Sequence, residues 1–317
     1  MKDSQTPIQA IPLSKAVRPT TIIESIRLNE RLGTNLVIAS ETFQHTGSFK
    51  FRPAYNLASN VPQQKIITAS SGNFGQALAC ACKLLGKKCI VVMPSTSAKV
   101  KIDSVRAYGG VVDLTDVTVK SRDERLAELA LEHPDAYLAS PFDDELDIEG
   151  NASLGREICA LGRQFDYVVV PIGGGGLSSG IVRAIEADGC NTKVVGAEPL
   201  LGNDAARSLR QGELIANDQE PQTLADGART LSLGKLNWEI LRRSLDSIVE
   251  VSEEQIREAV QLLYSLTNLK VEPTGALAVG AILAQPGKFR SKSVCCVVSG
   301  GNVDAALYSD LIRPLAV

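Results

Sequence analysis

One lysine sits in surroundings that would make it reactive: Lys50, within Thr46-Gly47-Ser48-Phe49-Lys50-Phe51. Most lysines are solvated surface charges. An amine held among apolar neighbours loses proton affinity by desolvation and becomes the neutral nucleophile that a Schiff base requires. The residues after it, through Ala58, read as a helix, so Lys50 stands at a helix start. Three further loops offer complementary chemistry. Ser70-Ser71-Gly72-Asn73 follows a strand-like run and precedes a helical one, presenting backbone amides and a helix N-terminus to an anion. Simple N-capping is the plainer reading, and the two are compatible. Gly173-Gly174-Gly175-Gly176-Leu177 is a second strand-to-helix turn. Four glycines cost backbone entropy and pack nothing, so close approach of amides to a phosphate is the favoured use. The spacing is not the GxGxxG dinucleotide fingerprint. Ser299-Gly300-Gly301-Asn302 is the last, weak alone. Together, a lysine and three turns rich in Gly, Ser and Asn suit one phosphorylated, carbonyl-bearing cofactor.

The elements that must position these loops alternate. Residues 65–68, 88–93, 111–114, 167–172, 193–197 and 294–298 read as strands. Helices are expected at 75–85, 98–108, 121–132, 178–188 and 253–266. Near-continuous apolar strands separated by helices predict parallel sheets buried on both faces, with ligands at the strands' C-terminal ends. The stretch 209–231 is polar and reads as a surface excursion. The fold class is α/β, two domains with open twisted sheets: 65–142 as a small inserted domain, 1–64 and 143–317 as the large cofactor-binding domain, and the cofactor between them.

Across 317 residues the formal charge is only -3, which gives no reason to expect nucleic acid or an acidic membrane surface as partner. Residues 1–16 lack the apolar run of a signal peptide, and no stretch is apolar enough to span a bilayer. Seven cysteines, Cys80, Cys82, Cys89, Cys159, Cys190, Cys295 and Cys296, show no CxxC spacing and read as small buried hydrophobes rather than disulfides or zinc ligands. A cytoplasmic location follows by exclusion. The two histidines, His45 and His133, fit no triad or metal spacing.

TGSFK, SSGNFGQALA, GGGGL, EP and SGGN, in this order over residues 19–302, resemble the fold-type II pyridoxal-phosphate enzymes, whose fold is tryptophan synthase beta-like. The resemblance is to their serine/threonine dehydratase and serine racemase branch. It implies that Lys50 forms the Schiff base, that Gly173, Gly174, Gly175, Gly176 and Leu177 hold the cofactor phosphate, that Asn73 meets the ring hydroxyl and Ser299 the ring nitrogen. Ser70, Ser71, Gly72 and Asn73 would receive the substrate carboxylate, and Lys50 would remove the α-proton. A serine cannot keep the ring nitrogen protonated as an aspartate can, so the ring is a weaker electron sink and loss of the β-hydroxyl competes well. Ser71 would face the side opposite Lys50, where it either protonates a planar carbanion, as in racemases, or only binds carboxylate. The resemblance also implies a small amino-acid substrate and a homodimer.

Weaker signals remain. Glu198, Gly202 and Asp204 in GAEPLLGND offer two carboxylates and a carbonyl to Mg²⁺ or Ca²⁺; a solvated loop is the plain alternative. Arg122 matches a racemase position in the substrate pocket, though beside Asp123 and Glu124 it also reads as a helix-surface ion pair. Glu272 resembles a position near the cofactor ring. Three departures from the family pattern, Pro53 for glycine, Phe74 for histidine and Gly150-Asn151-Ala152-Ser153 for GQGT, suggest a bulkier or more apolar substrate. The chain ends soon after SGGN, so the regulatory domain of allosteric threonine dehydratases is not expected. Three functions are thus carried forward: a dehydratase of a β-hydroxy amino acid, releasing a 2-oxo acid and ammonia; an amino-acid racemase using Lys50 and Ser71; and a non-catalytic small-ligand binder, against which the intact Lys50, Asn73, glycine run and Ser299 speak.

Overall fold

The computed structural model describes residues 10–70, 72–97 and 99–313. In chain order the elements begin α1 (Leu13–Ala16), β1 (Thr21–Ile23), α2 (Ile26–Leu32), β2 (Asn35–Ser40), α3 (Phe51–Asn60), β3 (Lys65–Ala69) and α4 (Asn73–Leu84). Next come β4 (Lys88–Pro94), α5 (Lys99–Ala107), β5 (Val111–Thr115), α6 (Arg122–Glu132), β6 (Tyr137–Ala139), α7 (Glu145–Cys159), β7 (Tyr167–Pro171) and α8 (Gly176–Ala187). The remainder is β8 (Lys193–Pro199), α9 (Asp204–Gln211), α10 (Lys235–Ser244), β9 (Leu245–Val251), α11 (Glu253–Thr267), α12 (Pro273–Ala284), α13 (Pro286–Phe289), β10 (Ser293–Val298) and α14 (Ala305–Ile312).

Two compact units result. One comprises Lys50–Gly150 with the described residues before Pro19; the other comprises Pro19–Phe49 and residues 151–313. The smaller unit therefore begins earlier in the chain than the expected 65, because Phe51, Ala54 and Leu57 of α3 share a core with Leu78 and Ala81 of α4. Its four-stranded sheet has the order β5-β4-β3-β6 with every pairing parallel. Ile66, Val91 and Met93 face α3 and α4, while Ile67 and Val92 face Leu129 of α6.

The larger unit holds a six-stranded sheet, β1-β2-β10-β7-β8-β9, parallel except for β1. Alternation along each strand feeds two cores. Ile38, Val169, Val195, Cys296 and Val298 pack with α11 and α12. Val37, Val168, Val170, Val194, Cys295 and Val297 pack with α8 and α10. Burial on both faces explains the near-continuous apolar runs at the centres of β2, β10, β7 and β8. The expected excursion at 209–231 holds the end of α9, a short 3₁₀ turn at Asp226–Ala228 and otherwise irregular chain. All seven cysteines are free thiols, five of them buried. Among the described residues no helix is long and apolar enough to cross a membrane.

Candidate active site

In the larger unit four neighbouring strands end on the same edge of the sheet, and each delivers a loop singled out by sequence. β2 leads into the Lys50 segment, β10 into Ser299–Asn302, β7 into the glycine run and β8 into Glu198–Asp204. The first two are stitched together. Phe49 N donates to the Ser299 carbonyl at 2.9 Å, Gly301 N to the Gly47 carbonyl at 2.9 Å, and Asn302 Nδ2 to the Thr46 carbonyl at 2.7 Å. Gly47 has φ of 74°, a left-handed turn that a side chain would resist, and a Cβ there would collide with Asn302. Glu272, the N-cap of α12, is buried and donates its N–H to Gly300 O at 3.1 Å. A Cβ on Gly300 would stand 2.6 Å from Glu272 Oε1 and 2.8 Å from Ser48 Cβ, so three loops converge on that glycine. Ser48 is completely buried and its hydroxyl has no hydrogen-bond partner.

The glycine run forms the start of α8. Gly175, its N-cap, has φ of 95° and is packed against Asn237 and Leu233. The Gly174 carbonyl is turned away, accepting from Gly234 N at 3.0 Å and Asn237 Nδ2 at 2.9 Å. The first helical bond runs from Ser179 N to Gly175 O. The amides of Gly176, Leu177 and Ser178 therefore precede any i−4 acceptor and suit an anion. A phosphate fits this donor set.

In the smaller unit the C-terminal edge of the sheet gathers the rest. Ser70 follows β3; its Oγ accepts from Gly72 N at 3.4 Å and Gly75 N at 3.3 Å, so it caps α4. Asn73 opens α4 and its Oδ1 accepts from Gln76 Nε2 at 3.3 Å. Gly72 is exposed. Ser71 lies outside the described residues, as does residue 98 of the expected helix 98–108. Arg122 opens α6, half-buried, behind a Ser121–Glu124 capping box. The ion-pair hub of that helix is Arg125, bound to Asp113 at 2.9 Å, Glu128 at 3.0 Å and Glu132 at 2.9 Å.

Lys50 is the N-cap of α3. Its Nζ donates to the Pro141 carbonyl at 2.5 Å and lies 5.5 Å from the centre of the Phe74 ring. Burial lowers its proton affinity below that of an ordinary lysine, and the charge of Asp147 opposes that fall. Phe74 is only 2% exposed and packs in the core with Leu78 and Ala77. It is thus a wall beside the lysine amine, a placement the sequence reading did not foresee. Asp147 and Pro141 escaped sequence reasoning altogether. No motif marks them, since both matter only through the path of the 140–147 segment.

At the end of β8, Glu198 is 1% exposed and its two oxygens accept from Ala205 N and Ala206 N at 2.9 Å each. Burial, then the charge of Asp204, pushes its carboxyl well above the usual range. Burial likewise pushes Asp204 up to about 7. Asp204 Oδ1 accepts from Asn217 Nδ2 at 2.9 Å, and Oδ2 is buried with no partner. Gly202 closes a short 3₁₀ turn between the two acids. Among the described residues no group of three or more His, Cys, Asp and Glu is arranged as a metal site; two acids and a carbonyl would have to suffice.

The family model of pyridoxal-phosphate dependent enzymes matches residues 13–300. The chain belongs to that family. Within it, this pyridoxal-phosphate enzyme falls in the dehydratase and racemase group of fold type II. It is 36% identical to a serine racemase of Mus musculus over 304 residues, 93% of this chain and 89% of that one. It is 34% identical to an L-threo-3-hydroxyaspartate ammonia-lyase of Saccharomyces cerevisiae, over 95% of this chain and 93% of that one. The crystal structure of a T.th. threonine deaminase superposes with a TM-score of 0.88 at 39% identity, covering 92% of this chain and 95% of that one.

Proposed function

We propose that this enzyme is an ammonia-lyase that eliminates water from a small β-hydroxy amino acid, giving a 2-oxo acid and ammonia. The observation that carries the reading is the half-buried Lys50, whose amine donates to the Pro141 carbonyl beside Phe74 and whose proton affinity desolvation lowers, as suits a base; the resemblance adds a serine, Ser299, as partner of the ring nitrogen. Pyridoxal phosphate, when bound, supplies the electron-withdrawing ring that loosens the bonds at the substrate's α-carbon. The residues fit that group: amides at the start of α8 for the phosphate, the crowded glycine at 300 for close approach, and a Ser48 hydroxyl without a partner beside it.

In this reading Lys50 links to the cofactor and takes the substrate's α-proton. Gly173 to Leu177 hold the phosphate, Asn73 orients the ring hydroxyl, and Ser299 meets the ring nitrogen without placing a negative charge there. Ser70, Ser71 and Gly72 bind the substrate carboxylate at the start of α4. Arg122 stands at the same edge of the sheet, where a second substrate carboxylate would find it; the hydroxyaspartate-cleaving relative favours that class of substrate. Phe74, buried as it is, does not enlarge the pocket by itself.

A second reading is favoured by the serine racemase relatives: Lys50 and Ser71 exchange the proton on opposite faces. Incubating the purified enzyme with L-serine, L-threonine and 3-hydroxyaspartate, and following ammonia, 2-oxo acid and optical rotation together, separates the two. Inversion without oxo acid would overturn the lyase reading. Ser71→Ala that keeps elimination and loses inversion would assign Ser71 to the second face.

The unpartnered Asp204 Oδ2, close to a buried Glu198, favours a divalent cation held by Glu198, the Gly202 carbonyl and Asp204. It would be Mg²⁺ or Ca²⁺ in a structural role. A homodimer in the cytoplasm is the assembly and place this function suits; sedimentation of the purified protein tests the first.

A further inference from the structure

We propose that Asp147 is a positioning residue for Lys50, its buried carboxylate serving as the counter-charge that lets the ε-amino group hold the proton it takes from substrate. The inference rests on the assignment of Lys50 as the reactive lysine, and it concerns what happens to that amine once it is freed.

The packing places the carboxylate. The start of α7 is packed against α3: Asn56 Nδ2, in the second turn of α3, donates to the Leu146 carbonyl at 2.7 Å. A Cβ on Gly150 would stand 2.9 Å from the Arg52 carbonyl and 2.9 Å from Asn56 Cβ. Asp147 follows Leu146 and precedes Gly150 by three residues, so it lies on the α7 face turned to the first turn of α3. Lys50 is the N-cap of that turn. Asp147 is 0% exposed, and a carboxylate removed from water needs a compensating charge or donors. Its field acts on Lys50 against the effect of burial.

The turn that joins β6 to α7 completes the arrangement. Its Pro141 carbonyl accepts from Lys50 Nζ. The turn is held by Asp143 N donating to Ser140 Oγ at 2.9 Å and by Tyr137 OH donating to Asp144 Oδ2 at 2.7 Å. Phe74 closes the apolar side. When Lys50 removes the α-proton, a C–H bond breaks and an N–H bond forms. The electron pair stays with the substrate, and a neutral amine becomes an ammonium. In dry surroundings that ammonium is costly. A carbonyl and a carboxylate on one side of it offset the cost. The other charged groups of the elements packed here are Arg52 of α3, fully buried and donating to the Arg18 carbonyl, Asp143 and Asp144 of the turn, and Glu145, Glu149, Arg156 and Glu157 of α7, of which the first three are exposed and the last accepts from Thr20 N.

The test is the pH dependence of Lys50 acetylation in the full chain freed of cofactor, read peptide by peptide by mass spectrometry. Asp147→Asn should move the midpoint down by about one unit or more, and Asp147→Glu should restore it. In the loaded enzyme the acid limb of substrate α-proton exchange should shift the same way. Asp147→Ser, a second uncharged variant, serves if the asparagine form does not fold. A midpoint unmoved in a folded uncharged variant, even with a lower melting temperature, would reduce Asp147 to a structural role and overturn the inference. Borohydride trapping of pyridoxal phosphate on Lys50 is independent of that result. Trapping on Lys50 with an unmoved midpoint removes the inference and leaves the function standing, whereas trapping elsewhere removes both.

Discussion

Single residues show how closely the loops are fitted. Gly300 has Glu272 Oε1 and Ser48 Cβ within 2.8 Å of where its side chain would begin. Both neighbours are buried, so a methyl group there must displace the Glu272 carboxylate or the Ser48 segment. Gly300→Ala should therefore weaken pyridoxal phosphate binding about ten-fold or more, in line with a core overpacking penalty of ~1–3 kcal/mol. Absorbance titration of the variant measures it, and unchanged affinity would mean the loops yield. Ser48→Ala should behave oppositely in the cofactor-free chain. It removes a hydroxyl that has no partner, so the melting temperature should hold or rise slightly. At this scale much was legible. Lys50 was marked by its aromatic neighbours, and the glycine run by a composition no ordinary turn requires. Asp147 and the Pro141 carbonyl were not, because a lone acid in ELDIEG and a main-chain oxygen carry no pattern. Phe74 was noticed for its type, but only packing shows that it faces the core.

Elements explain which parts of the fold the sequence announced. Strands buried on both faces are runs of Val, Ile and Cys, and β3, β4, β7, β8 and β10 stood out for that reason; β5 stood out by its composition, although Val111 and Leu114 are exposed. α12 is buried all round, so it has no polar face and no helical period to read. α7 carries two glycines and a polar first turn, which disguised it. β9 is only partly buried: Val249 and Val251 reach the core, while its first residues, Leu245 to Ser247, lie nearer the surface and break the apolar run. Asp246, at its start, accepts from Lys288 at 2.7 Å and pairs with Lys193 of β8 at 2.8 Å. Burial alone would raise this carboxyl, but the bonds from Lys193 and Lys288 hold it at about 2. A carboxyl lowered on folding stabilises the protein above its unfolded value of 3.8, and the benefit fades as pH falls toward 2. Asp246→Asn should thus lower the melting temperature at pH 7, with the gap to the parent closing between pH 4 and pH 2. A gap that persists at the acid end would show that packing, not charge, is what the aspartate provides. At the end of the neighbouring β8, the cation reading makes its own demand. Chelation should lower the melting temperature of the parent, and Asp204→Asn should abolish that sensitivity; a parent indifferent to chelator would leave Glu198 and Asp204 as a buried acid pair that holds no cation.

For the whole molecule the question is whether the assembled loops bind one cofactor or merely resemble loops that do. A ligand that binds the folded chain and not the unfolded one stabilises it by mass action, ~2.7 kcal/mol at a hundred times its dissociation constant. In a protein of this size that corresponds to a melting temperature raised by about 5 °C. Pyridoxal phosphate should produce such a rise in the parent. Pyridoxal, which keeps the aldehyde and lacks the phosphate, should produce much less if the amides at the start of α8 supply a large share of the hold. Lys50→Ala should retain part of the rise with pyridoxal phosphate, because the phosphate contacts survive the loss of the covalent link, and it should lose the yellow colour of the bound aldehyde. The pairing matters more than either number. Equal shifts from the two aldehydes would say that the glycine run is only a turn. A full shift with colour intact in Lys50→Ala would say that another amine carries the cofactor, and the chemistry assigned to the edge of these sheets would have to be rebuilt around it.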